Sequence, residues 1–284
     1  MGPIISSWSN SVVGIILITV LTWISINKRW LKPSGVLGLL IISTTLFFYG
    51  NIVWFLVFFC FLASASLATL YKSENKKYLD EIVEKTGPRD IFQALANVGF
   101  PTMLAIVYYF DHQKIWIIGF LCAIASVTAD TWATELGSIS KKWPVLITDW
   151  KRPVSPGTSG GITPQGTVSG MAGSFYIAFV GVGLFNFYSG SVDFTNTLLS
   201  VFIVAIAGWA GLFVDSLLGA TLQVSYKCDI CGISTEKKID KNKHKTHYSK
   251  GIHWISNDWV NFMASVFGGT IGMLVAWWLQ TLIV

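Results

Sequence analysis

Four acids stand at the ends of long apolar runs: Asp130 and Glu135 in ADTWATELGS (129–138), Asp215 in VDSLLGATLQ (214–223) and Asp258 in NDWVNF (257–262). A carboxylate at mid-bilayer depth costs about 2.5–3.5 kcal/mol on insertion scales, so acids in such runs usually face a cavity and act there. Asn97, Asn257 and Asn261 accompany them, and Gly219 follows Asp215 by one turn. A Gly-rich segment, WKRPVSPGTSGGITPQGTVSG (150–170), sets Gly157, Thr158, Ser159, Gly160 and Gly161 just after Lys151 and Arg152. Glycines free the backbone to turn N–H groups toward one point, and the helix start that follows favours phosphate. The segment lacks the GK[ST] ending of a Walker A loop, and close packing of a Gly-rich turn between helices is the alternative. Hard oxygen ligands with no His or Cys nearby select Mg²⁺, which binds through one or two carboxylates plus substrate phosphates. Such a set suits phosphoryl or nucleotidyl transfer, where positioning and charge neutralisation carry the chemistry.

The elements that must position these residues are membrane helices. The 284 residues are 52% hydrophobic and 12% charged, with mean hydropathy +0.58, a combination foreign to ordinary soluble domains. We read a single integral membrane domain over 1–284, an all-α bundle of about eight transmembrane helices with a Gly-rich cytoplasmic loop and a small Cys/His cytoplasmic loop. The spans fall near 11–27, 36–49, 52–71, 91–110, 115–136, 166–187, 197–222 and 259–283, with a tight turn at Gly50 and Asn51. No Lys or Arg precedes the first run, so it reads as a retained span rather than a secretory signal. Loops 28–35, 72–90, 137–165 and 223–258 carry 3, 5, 4 and 7 of the 20 Lys and Arg residues. Eight helices put all four on one face, which the positive-inside rule makes cytoplasmic, leaving both termini outside the cell membrane. That asymmetry accounts for the net charge of +5 without a nucleic-acid partner.

On this topology Arg89 and Asn97 flank the entry of the fourth span, and Asp130 lies about 10 Å inside the end of the fifth. Asp215 sits at a similar depth in the seventh, and Asn257, Asp258 and Asn261 open the eighth. One polar basin on the basic side results. Unpaired by any basic residue within a span, Asp130 and Asp215 are expected to meet a metal ion or water. The asparagines have interhelical hydrogen bonding as their structural alternative. A cation-coupled transporter is the rival reading, although carrier sites tend toward the midplane and the two halves show no inverted repeat.

Cys228 and Cys231 in KCDICGIS precede His244 and His247, a C-x2-C-x12-H-x2-H spacing close to that of structural zinc sites. A cytoplasmic loop disfavours a stable disulfide, so a structural zinc clip over 223–258 is expected, with unliganded thiols as the alternative. Cys60 and Cys122 lie within spans as small core residues.

ADTWATELGS, PGTSGGITPQGTVSG, VDSLLGATLQ and NDWVNF occur here in the order that resembles the membrane family of plant phytyl-phosphate kinase and animal transmembrane protein 19. That family has many bacterial and archaeal members of unknown function. The resemblance runs from about Leu31 to the end of the chain. The DxxAxxxG spacing of Asp130, Ala133 and Gly137 is also distantly similar to that of CTP-dependent phytol and dolichol kinases and CDP-diacylglycerol synthases. The resemblance implies a polyprenyl monophosphate kinase taking the γ-phosphate of a nucleoside triphosphate, CTP favoured, with the prenyl tail entering from membrane lipid. A cytidylyltransferase-like lipid enzyme would use similar parts. In this reading Asp130 and Asp215 hold Mg²⁺, with Glu135 and Asp258 assisting through water. Asn97, Asn257 and Asn261 bind polar groups of the substrates. Gly157, Thr158, Ser159, Gly160 and Gly161, with Arg89, Lys151 and Arg152, cradle the phosphates, and Gly219 leaves room beside them.

Overall fold

The computed structural model describes residues 8–76, 82, 88–190, 193–230, 232, 234–239 and 244–279. Its helices are α1 (Trp8–Asn27), α2 (Pro33–Thr45), α3 (Ile52–Leu70), α4 (Ile91–Asp111), α5 (Ile115–Gly137), α6 (Pro164–Ser189), α7 (Phe194–Thr221) and α8 (Asn257–Trp278). Seven, counting α2 with its continuation to Gly50, are long and apolar enough to cross a membrane, and α1 adds the shorter apolar run Val12–Asn27. All eight coincide with the expected spans.

Local chemistry fixes their ends. A wide π turn over Leu46–Gly50 continues α2, and Asn51 Oδ1 accepts from Val53 N at 2.8 Å to start α3. Asp90 and Gln93 form a reciprocal capping box at α4, with bonds of 3.0 and 3.1 Å. Thr163 caps α6 through Gly166 N at 2.9 Å, with Pro164 in the first turn. Asp193 caps α7 through Asn196 N.

Helix α5 is the central pole. Ile117 through Ala129 are all buried, so it has no lipid-facing side over that stretch, and α3, α4, α6, α7 and α8 pack around it. Small residues let the neighbours close in. A Cβ on Gly211 of α7 would lie 2.0 Å from Ser126 Oγ, and one on Gly268 of α8 would lie 2.8 Å from Ser126 Cβ. Ser126 Oγ donates to Ala264 O of α8 at 3.1 Å, closing a three-helix junction of α5, α7 and α8. Away from the basic loops, Trp54 of α3 packs against Phe120 of α5, Tyr108 of α4 and Phe185 of α6, with ring centroids 4.4, 5.3 and 5.9 Å apart.

The four Lys/Arg-rich loops meet at one end. Lys32 N donates to Arg89 O, and Arg89 N to Trp30 O. Glu236 N donates to Ile82 O, and Ser159 Oγ to Glu236 Oε1 at 3.2 Å. These bonds link 28–35 to 72–90, 72–90 to 223–258, and 223–258 to 137–165. The all-α expectation needs one amendment, because two of these loops contain small antiparallel sheets. Strands β1 (Val145–Leu146), β2 (Asp149–Pro153) and β3 (Gly161–Ile162) pair in the order β2-β1-β3. Strands β4 (Ser225–Cys228), β5 (Ser234–Thr235) and β6 (Thr246–Lys250) pair in the order β5-β4-β6. Strands of two to five residues are too short to show an alternating pattern in the sequence.

Candidate functional site

One turn beyond the Ser126–Gly211–Ala264 junction, helical periodicity brings Asp130 of α5, Asp215 of α7 and Asn261 of α8 onto the same inward faces. The carboxyls of Asp130 and Asp215 lie within hydrogen-bonding reach of each other. Asp215 Oδ2 is buried and has no hydrogen-bond partner among the described residues. Asn257 lies one further turn toward the basic end on the same face as Asn261. Asp258 sits in the first turn of α8, partly buried and with a polar partner of its own. Two abutting carboxyls from different helices, one with an unsatisfied oxygen, suit a divalent cation shared with substrate phosphates. Among the described residues no three of His, Cys, Asp and Glu converge into an all-protein metal site.

Glu135 is held differently. Its Oε2 pairs with Lys76 Nζ at 2.8 Å, and its Oε1 accepts from Thr69 Oγ1 at 2.7 Å. Lys76 is buried and also donates to Ala68 O at 2.7 Å and Thr69 O at 3.3 Å, closing the C-terminus of α3. Glu135 thus ties α5 to α3, with a lysine rather than another acid as its hydrogen-bonded charged neighbour. Lys76 enters from the loop after α3, so a search for cations within the spans does not find it.

The Gly-rich loop docks on the end of α7. Gly157 and Gly160 have φ of +86° and +82°, and a Cβ on Gly160 would lie 2.4 Å from that of Ala220. Gly219 faces the same contact, since its own Cβ would come within 3.2 Å of Gly160 N. The loop therefore rests one turn below Asp215. Thr158 N and Gly161 N are occupied by Ser155 O and Thr158 O, so a bound anion must be met by other donors. Two cationic side chains from different strands stand near the loop's docking point. Lys250 of β6 donates to Ala220 O at 2.6 Å and Gly219 O at 3.4 Å, and Arg152 of β2 lies close by. Burial, and then the neighbouring Arg152 charge, hold the Lys250 ammonium below the usual lysine range. Lys151 is exposed on β2. Gly166 and Gly170 serve packing instead: added Cβ atoms there would meet Ala133 O and Ala129 O of α5 at 2.9 Å each.

Ser159 and buried Gln223 both donate to Glu236 Oε1, at 3.2 and 2.7 Å. Glu236 is near enough to Asp215 to add to the negative potential there. Sequence reasoning missed Glu236 and Lys250, since each lies on or beside a short strand among other charged residues and only the fold turns it inward.

Arg89 and Asn97 line a crevice of their own. It runs between α2, α3 and α4, walled by Gly35, Leu39, Ile42, Phe58, Phe61 and Leu62, and is narrow, with a cavity volume of about 20 Å³. Burial pushes the Arg89 guanidinium below the ordinary arginine range, while the nearby Glu135 carboxylate pulls the other way. Asp215, Asp130 and Glu135 are successive acidic neighbours, and Arg89, at the apolar crevice, is the cation next to Glu135.

In the Cys/His loop Cys228 is buried on β4, and its register partner on β6 is Thr246. His247 is opposite Lys227 and so points to the other face of the sheet, where its Nδ1 lies 2.5 Å from Asp229 Oδ1. Cys231 falls outside the described residues, and His244 is engaged in an interaction of its own. The described residues do not assemble the four-ligand zinc set.

The chain is 30% identical to an uncharacterized membrane protein of Methanocaldococcus jannaschii, over 93% of each sequence. It is 29% identical to Protein PGR of Arabidopsis thaliana, covering 89% of this chain and 91% of that protein. It is 24% identical to Protein VTE6, chloroplastic, also of Arabidopsis thaliana, covering 95% of this chain and 72% of the relative. No solved structure matches. Residues 16–269 match the family described as integral membrane protein DUF92, and the chain belongs to that family.

Proposed function

We propose that the protein is a Mg²⁺-dependent isoprenoid phosphate kinase that moves the γ-phosphate of CTP or another nucleoside triphosphate onto a prenyl monophosphate. Its working end is proposed to face the cytoplasm. The observation that carries the reading is the abutting pair Asp130 and Asp215, half-buried where two helices meet beside a glycine loop, with Asp215 Oδ2 fully buried. The motif resemblance supports the substrate class.

In this reading Asp130 and Asp215 hold the cation, which when bound neutralises triphosphate charge and polarises the γ-phosphoryl group. Lys250 and Arg152 offset charge on the triphosphate from the loop side. Arg89 binds the acceptor phosphate, and the crevice beyond it takes the start of the prenyl tail. An oxygen of the acceptor phosphate attacks the γ-phosphorus, the bond to the β-bridging oxygen breaks, and nucleoside diphosphate leaves with that electron pair. The acceptor oxygen is already ionised, so no general base is needed. Glu135, held by Lys76, keeps Arg89 in place without joining the reaction.

The test is purified protein with Mg²⁺, geranylgeranyl phosphate, and CTP labelled at either the γ or the α position. Geranylgeranyl diphosphate carrying γ label supports the kinase. Lipid carrying α label identifies nucleotidyl transfer, and accumulation in vesicles without chemistry identifies a carrier. Asp130→Asn and Asp215→Asn are each expected to lower turnover by on the order of 10²–10³-fold while remaining monodisperse. Wild-type turnover in either variant refutes the assignment.

A further inference from the structure

A second cavity opens where the ends of α3 and α5 meet the start of α6. It encloses about 560 Å³ and is lined by Tyr71, Lys72, Ser140, Lys141, Lys142 and Ser169 among others. None of its lining residues is acidic. The Glu135 carboxylate, one residue before the lining Leu136, is paired with Lys76 and Thr69. Three cations therefore share one concavity whose remaining polar groups include hydroxyls. Lys72 has a left-handed backbone (φ +49°) that turns the chain off α3, and its ammonium lies 5.3 Å from the centre of the Tyr71 ring.

The surroundings name the setting. Directly along the same helices, Leu67 and Leu70 of α3 and Val168 of α6 are 63%, 52% and 60% exposed, as lipid-facing residues are. The cavity begins where that apolar surface stops and the lysines start. That is the depth of a phospholipid headgroup, with acyl chains free to run along α3 and α6.

We infer that this cavity binds the phosphate of an anionic membrane lipid, using Lys72, Lys141 and Lys142, and so clamps the ends of α3, α5 and α6 together. The inference is independent of the kinase reading, since none of these residues borders the Asp130–Asp215 pair. A soluble phosphate compound is the other source of the same chemistry, and the experiment separates the two.

Detergent-purified protein is titrated with phosphatidylglycerol, phosphatidylcholine or inorganic pyrophosphate, followed by thermal shift and by native mass spectrometry of retained lipid. Wild type is expected to bind phosphatidylglycerol and not phosphatidylcholine. The Lys72→Gln/Lys141→Gln/Lys142→Gln variant is expected to bind it on the order of 10²-fold more weakly, from about fivefold per lysine. A control of equal charge, Lys227→Gln/Lys238→Gln/Lys245→Gln, changes exposed lysines of the other sheet loop and should bind as wild type. Undiminished phosphatidylglycerol binding by the first variant, or equal loss in the control, overturns the site. Pyrophosphate binding that matches phosphatidylglycerol keeps the phosphate site but overturns its assignment to lipid.

Discussion

Glu135 and Asp215 lie on neighbouring helices yet are stabilised in opposite ways. Glu135 is a structural charge, closed off by Lys76 and Thr69. Asp215 keeps a buried oxygen with nothing in the described protein to meet it. Removing one partner of a buried pair strands the other, so Lys76→Met is expected to cost about 3 kcal/mol, read as a fall in unfolding temperature. Lys76→Met/Glu135→Leu should recover most of that loss; a double variant as unstable as the single would show that the pair is not the cause. The acids at 130 and 215 were legible in the sequence because a charge inside an apolar run has so few structural explanations. Lys76, Glu236 and Lys250 were not, because a charged residue in a charged loop carries no signal until folding buries it. Only the position of the Gly157–Gly161 loop against Ala220 explains why Lys250 matters.

At the level of elements, the docking of the glycine loop on α7 rests on Gly160. Gly160→Ala places a Cβ against Ala220 from a left-handed backbone, so the loop must lift away from Asp215. The expected result is at least a tenfold loss in kcat/KM for nucleotide, with faster proteolysis after Arg152. Gly190→Ala makes a fair control, since it has a similar φ of +68° but open space around it. It should lose about 1 kcal/mol of stability and no activity. If both substitutions leave activity intact, the loop does not form part of the site. The helices themselves were readable from hydropathy to within a few residues at most ends. The strands were hidden by their length, and of the four residues with zinc spacing only Cys228 and His247 have a strand register, on opposite faces of the sheet.

For the whole molecule, four basic loops that touch one another fix which helix ends share a side, whatever the membrane around them. Placing that side in the cytoplasm is the remaining step. In a cysteine-free background, Ser140→Cys should react with a membrane-impermeant thiol reagent only after permeabilisation, and Gln113→Cys in intact cells. The reverse pattern would invert the orientation, and labelling of both from one side would break the span count. The order of four motifs was enough to identify the family, because each marks a helix end at the same face of the bundle.

The buried middle helix also has a history. It leaves the ribosome after α3 and α4 but ahead of the three segments that complete its surround, and for that interval the face carrying Ser126 and Asp130 has only lipid or the insertion machinery for company. A nascent chain of this design must be sheltered until its last third is made, and products cut short after Ser189 are natural substrates for membrane quality control.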